Sequence, residues 1–459
     1  MSKNSSFINF PDHRANKRGI INPLRTFIKD KLFLGNDPTP ELIAIVSIYV
    51  VRGVLNLARL AISFFLKDEL GLSPAEVSAL TGLAILPWVI KPLFGFLSDA
   101  FPLFGYRRRP YLVLSGLLGT ASWLGLATVV DTAESAAIAL LISSASVAIS
   151  DVIVDSQVVE RAREETLANA GSLQSLSWGA TALGGLITAY FSGFLLELFP
   201  PKTIFAITAV FPLVFSTMAW LITEQPVPEK ERVQALGNIK KQVQQLWQVM
   251  RQKRIFLPTL FIFIWQSTPG SDSALFFFIT NELGFEPEFL GRVRLVSSFA
   301  SLAGVWIFQR YLKTVSFRKV LGWSTVISAG LGMSVLLLVT HANRTLGIDD
   351  YWFSLGDNLI LSAIGEIALM PILVLAARLC PSGIEATFFA LMMSIFNLAG
   401  ALSQELGGLL TALLGVTENN FDRLWILVIL TNLSTLLPLP LIHLLPAKDP
   451  MKQESDNDV

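Results

Sequence analysis

"FFLKDELGLSP", residues 64–74, returns as "FFITNELGFEP", residues 277–287. Each copy closes a long apolar stretch. A second pair follows in the same order: "LGGLITA" at 183–189 and "LGGLLTA" at 406–412. "YRRRP" from Tyr106 returns weakly as "FRKVL" from Phe317. Three ordered matches at corresponding places indicate duplication of one unit. A bilayer core needs about 20 apolar residues per helix. Twelve stretches meet that length: 43–66, 75–98, 110–130, 136–159, 169–193 and 202–222, then 255–279, 289–309, 319–340, 356–378, 385–410 and 423–445. The repeated unit is therefore six spans long. Because six is even, both copies keep one orientation. The expected fold is an all-α integral membrane protein with twelve transmembrane helices in two six-helix bundles. A cavity between the bundles is a transporter architecture.

Composition agrees. Of 459 residues, 52% are hydrophobic and 15% charged, and mean hydropathy is +0.57. The charges cluster between the apolar stretches. Thirty-five basic residues balance 35 acidic ones, so nothing suggests a nucleic-acid binder. One cysteine, Cys380, and three histidines are too few for a disulfide framework or a zinc cluster. No Walker or Rossmann fingerprint occurs, so no cofactor is expected.

Basic residues set the expected orientation. Arg107, Arg108 and Arg109 follow span two, Arg161 and Arg163 follow span four, and Arg310, Lys313, Arg318 and Lys319 lie around the turn after span eight. The alternate loops are poor in Lys and Arg. Both termini are thus expected in the cytoplasm, with 1–42 and 446–459 as tails. The bundles are expected at 43–222 and 255–445, joined by a cytoplasmic linker at 223–254. That linker has the pattern of a short amphipathic surface helix, with a plain tether as the alternative. The expected location is the inner (plasma) membrane of a prokaryote, with the plastid envelope as the alternative.

The charges inside the spans carry the chemistry. In "SDVIVDSQVVERAREE", 150–165, Asp151 and Asp155 share one helix face. Intramembrane carboxylates pair with a cation, bind substrate or relay protons. Candidate cations are Arg52 and Arg59, seven apart in span one, and Lys91 in span two. Asp155 has Arg161 and Arg163 as alternative partners, and a static salt-bridge lattice is the plainer reading of the whole set. Gln174 and Trp178 in span five suit a flat heteroaromatic ring, although helix packing also accounts for Trp178. In the second half, Asp272, Glu366 and Gln404 are candidates for binding or coupling. Glu366 has no cation within two turns of its own helix, which makes it a candidate proton site. Gly95 and Asp99, one turn apart, with Arg107, Arg108 and Arg109, form a candidate inner gate. Arg378 and Glu385, at the inner junction of spans ten and eleven, are its candidates in the second half, against the plainer role of a charged turn.

The Gly95–Asp99 pair followed by arginines resembles the loop between spans two and three of the major facilitator superfamily, although "AFPLF" at 100–104 lengthens it. The blocks at 150–165, "GSLQSLSWGATALGG" from Gly171 and "RLCPSGIEATFFALMMSIFNLAG" from Arg378 resemble the folate–biopterin transporter family within that superfamily. The resemblance implies a folate or pterin substrate, the lipid bilayer as surroundings, and a secondary carrier that is expected to be monomeric and open to proton coupling. A carboxylate accepts both hydrogen bonds of a pterin's amino group and ring N–H. The two carboxylates of a folate's glutamate tail suit Arg52 and Arg59. Alternatively one of these arginines neutralises Asp151. Other readings are a major facilitator carrier of another polar solute, a membrane-embedded enzyme using Cys380, or a non-transporting scaffold.

Overall fold

The computed structural model describes residues 33, 36–164, 167–226, 243–312, 315–379 and 385–445. Within these, the side chains of 159–164, 167–172, 174, 175, 376–378 and 385–387 are outside the description. Eleven helices among the described residues are long and apolar enough to cross a membrane. In chain order they are α1 (Pro40–Glu69), α2 (Pro74–Ala100), α3 (Arg109–Thr128), α4 (Ala133–Glu164), α5 (Leu167–Leu198) and α6 (Pro201–Leu221). After an interrupted seventh element, α7 (253–282), follow α8 (Pro287–Leu312), α9 (Phe317–Val339), α10 (Asp350–Arg378), α11 (Glu385–Leu413) and α12 (Leu424–Leu444).

The expectation of one continuous helix over 255–279 is corrected. It is two pieces, α7a (Lys253–Gln266) and α7b (Asp272–Phe277, continued by a π-turn over Phe278–Glu282). Ser267–Ser271, "STPGS", separates them. Proline removes a backbone donor and glycine favours non-helical backbone, so Pro269–Gly270 ends the helix. Ser403 of α11 donates to the freed Thr268 carbonyl at 2.6 Å. A backbone break at membrane depth is tolerated where neighbouring helices satisfy it. Of the 223–254 linker, residues 243–250 are helical, and the rest of the expected surface helix lies outside the described residues.

The sequence repeat is a structural repeat. Phe65–Glu69 and Phe278–Glu282 are both π-turns. Each is followed by a left-handed glycine, Gly71 at φ 64° and Gly284 at φ 67°, and then by a helix that begins with proline. The second repeat packs against the corresponding partners. Gly184 of α5 meets Gly53 of α1 so closely that a Cβ at Gly53 would lie 2.9 Å from the Gly184 Cα. In the second copy Gly407 of α11 lies against Gly270, in the α7 break.

Buried apolar clusters differ between the two ends. At the expected inner end, one cluster comes from α1, α3, α4, α5 and α6, and another from α7a, α9, α10, α11 and flanking residues. Each belongs to one half. At the expected outer end two clusters cross, while a third stays within the second half. Leu60 and Phe64 of α1 pack with Phe276 and Ile279 of α7b and Phe289 and Leu290 of α8. Gly193 of α5 abuts Gly291 of α8, and α2 runs along α11. Lys67 donates to Asn281 at 2.8 Å, joining the two π-turns.

Candidate functional site

Three helices of the first half bring four charges together. α1 supplies Arg52, α2 supplies Lys91, and α4 supplies Asp151 and Asp155. Arg52 Nη1 donates to Asp151 Oδ1, and Lys91 Nζ donates to Asp151 Oδ2. Lys91 Nζ also reaches Asp155 Oδ2 at 2.8 Å. Asp155 Oδ1 accepts from the Tyr49 hydroxyl at 2.5 Å. Trp88 lies beneath both cations, 5.3 Å from the Arg52 guanidinium carbon and 5.7 Å from Lys91 Nζ. Its ring face adds a cation–π attraction to each.

Two cations face two carboxylates, so the network is neutral. That neutrality is what makes four charges tolerable in a low-dielectric bundle. Exposure is graded along it. The Asp151 side chain is 2% exposed, Lys91 15%, Arg52 29% and Asp155 44%. The pair is sealed at Asp151 and opens at Asp155, one turn nearer the expected inner end. Of the three candidate cations, Arg52 and Lys91 pair with Asp151. Asp155 takes Lys91 and Tyr49 as partners; the side chains of Arg161 and Arg163 lie outside the described residues.

Tyr49 and Trp88 were not among the residues singled out from sequence. A signal existed for both, because each precedes a network cation by three residues and so shares its helix face. Tyr49→Phe removes one hydrogen bond to a charged acceptor and leaves the ring in place. With Asp155 half open to solvent, we expect the uptake rate to fall about threefold to tenfold at equal membrane protein level. An unchanged rate would leave Tyr49 as packing alone.

The other candidates are spread through the fold. Arg59 is exposed, two turns from Arg52 towards the expected outer end. Trp178 is 57% exposed. Gln174, Arg378 and Glu385 have side chains outside the described residues. Asp272 opens α7b beside the break and is exposed. Gln404 sits in the contact between halves, where Ser78 donates to its backbone carbonyl at 2.7 Å and lies 3.3 Å from its Oε1. Glu366 is half-buried on α10, against Gly304 of α8.

The expected gate residues divide. Gly95 faces α4, where a Cβ would lie 3.3 Å from Val152. Asp99 is exposed, one turn beyond. The Glu224 carboxylate accepts from the backbone N–H groups of Arg107, Arg108 and Arg109 at 2.7, 3.0 and 3.1 Å. It occupies the positive end of α3, where a carboxylate is favoured. The Arg109 guanidinium donates to the Ile222 carbonyl at 2.6 Å through Nε. Arg109 therefore clamps the end of α6 to the start of α3 within one half.

The fold and sequence have known relatives. The chain superposes on the nucleoside transporter NupG with a TM-score of 0.65 at 14% identity, over 91% of this chain and 100% of that one. A D-xylose–proton symporter gives 0.62 at 16% identity, over 88% and 98%. The all-α multi-pass fold is thus shared with these two proteins. A folate-biopterin transporter of Synechocystis is 62% identical over 432 residues, covering 94% of this chain and 87% of that protein. Folate transporter 2 of Plasmodium falciparum is 33% identical over 397 residues, covering 86% of each. The BT1 family profile matches residues 52–459, and the chain belongs to the BT1 family.

Proposed function

We propose that this protein is a secondary transporter of folates and pterins. The observation that carries the reading is the neutral network of Arg52, Lys91, Asp151 and Asp155 inside a transporter fold, with Asp155 open to one side. The names of the relatives point to the same substrates. Two six-span bundles, 43–222 and 255–445, rock about a shared cavity, with 223–254 as a cytoplasmic linker. Crossing apolar contacts at the expected outer end, and one-half clusters at the inner end, support assignment of this arrangement to an inward-facing state. The pterin edge approaches Asp155, where one carboxylate can accept its amino and ring N–H groups. Asp99 and the neighbouring arginines close the inner end in the opposite state.

The protein works as a monomer in the plasma membrane of a prokaryote, with both termini in the cytoplasm. It is not an enzyme. Proton coupling falls to Glu366 on this reading, because the first-half network is already balanced by its own cations. Uptake into proteoliposomes decides the substrate: folate, a reduced folate and biopterin are compared in parallel, each with and without an imposed proton gradient. We expect uptake of at least one of the three, and faster accumulation with the gradient. Absence of all three, with a sugar or amino acid carried instead, would replace the reading with a carrier of another polar solute.

A further inference from the structure

Arg59 and Arg294 are not paired with an acid among the described residues. Arg59 lies on α1, and its guanidinium has no hydrogen bond or ion pair among the described residues. Arg294 lies on α8, in the other half. It is half-buried, and its hydrogen-bond partner is the Ser192 hydroxyl at 3.3 Å. Leu60, next to Arg59, packs in one cluster with Leu290, one turn before Arg294. The nearest acid on α8, Glu288, is engaged by Arg292 at 2.6 Å and Tyr190 at 3.2 Å. Asp68, on the α1 side, is engaged by Lys67 at 2.5 Å. Two cations on either side of the α1–α8 contact attract an anion. A guanidinium offers five N–H donors in a planar fork, and carboxylates match that fork.

The location narrows the ligand. Leu60, Phe64, Phe289 and Leu290 pack at the expected outer end beside this pair. An anion therefore arrives from the inner side in this arrangement. Seven residues separate Arg59 from Arg52, about 10 Å of helical rise. Arg52 is committed to Asp151, so it is not available for a second anion. A ligand with a ring system near the acidic network and carboxylates one spacer away would span both places. A folate has that form, with its p-aminobenzoyl group as the spacer. Biopterin ends in a neutral hydroxylated chain.

We infer that Arg59 and Arg294 form a carboxylate subsite between the two halves, which takes the glutamate tail of a folate and distinguishes folates from biopterin. The inference rests on the transport reading above. Since one arginine comes from each half, an anion held between them also favours the state in which they are close.

The test is binding to the purified full chain in lipid nanodiscs, using folate, p-aminobenzoylglutamate and biopterin as probes. Arg59→Gln and Arg294→Gln should each weaken folate and p-aminobenzoylglutamate by about 10- to 100-fold, as expected for a lost hydrogen bond to a charged group. Biopterin affinity should stay within about twofold of the parent. Arg294→Lys, which keeps the charge and loses the fork, should fall between. Arg59 has no side-chain partner among the described residues, so ligand-free thermal stability of Arg59→Gln should equal or exceed that of the parent. Equal losses for folate and biopterin, unchanged folate binding, or a drop in ligand-free stability of Arg59→Gln would each overturn the subsite. If the parent binds biopterin and no folate, the subsite falls while pterin transport stands. If it binds none of the three, the transport reading falls and the subsite with it.

Discussion

Asp151→Asn is expected to abolish uptake, lowering the rate by about 100-fold or more at equal membrane protein level. The reason is the position of this carboxylate in the network. Asp151 is almost fully buried and binds two cations at once, Arg52 through one oxygen and Lys91 through the other. An asparagine keeps the shape and removes the charge. Lys91 retains Asp155, but Arg52 is left with an uncompensated charge in the bundle. Breaking one partner of such a pair costs about 3–5 kcal/mol. Trp88 offsets part of that by its ring face.

The double variant Asp151→Asn with Arg52→Gln separates structure from transport. Removing both charges restores neutrality. Its thermal stability should recover relative to Asp151→Asn alone, with a coupling energy of about 1–3 kcal/mol. Uptake should stay lost, because the network then has no switchable pair for α1 and α4 to exchange. A double variant that regained parental uptake would reduce the pair to a static brace. Normal rate and normal apparent affinity in Asp151→Asn alone would remove the network from the mechanism altogether.

Much of this site could be read from sequence, for a physical reason. Charges inside long apolar helices are few, and helix depth follows from counting residues at 1.5 Å each. Arg52 and Asp151 fall at similar depth on antiparallel spans, which made Arg52 a candidate partner beside Arg59 and Lys91. The choice between Lys91 and the arginines beyond span four for Asp155 did not follow from depth, because it depends on which face of α2 turns towards α4. Tyr49 and Trp88 carry no charge, so neither stands out from the other aromatic residues of an apolar helix. Their spacing to Arg52 and Lys91 was the available signal. Arg294 falls inside span eight, but its place beside Ser192 arises only when α8 docks on α5. Gln404 likewise meets Ser78 through contact between halves. The break in α7 was written in "STPGS", yet proline and glycine also occur inside intact membrane helices, so composition alone did not separate a break from a kink.

The second large effect concerns two glycines that look alike in sequence and should behave differently. Gly53 and Gly184 form a contact within the first half, between α1 and α5. Gly193 and Gly291 form a contact across the halves, between α5 and α8. At Gly291 a Cβ would lie 2.7 Å from the Tyr190 carbonyl oxygen and 2.9 Å from the Gly193 Cα. Those neighbours are backbone atoms, so the helices themselves must separate. Gly53→Leu should therefore disrupt the first bundle and lower its thermal stability, in the range of about 1–3 kcal/mol or more expected for overpacking. Gly291→Leu should leave each bundle's own core intact. What it forbids is the close approach of α5 and α8 at the outer end. The protein should then be held open on that side. Folate should still bind from outside in intact right-side-out vesicles, while uptake should fall to background. Spin labels placed on the α3–α4 turn and the α9–α10 turn should report a longer outer distance in Gly291→Leu than in the parent, and saturating folate should fail to shorten it. Parental uptake by a folded Gly291→Leu protein would show that the outer contact is not part of the transport cycle. Loss of folding in both variants would instead place the α5–α8 contact among those that hold the bundle together.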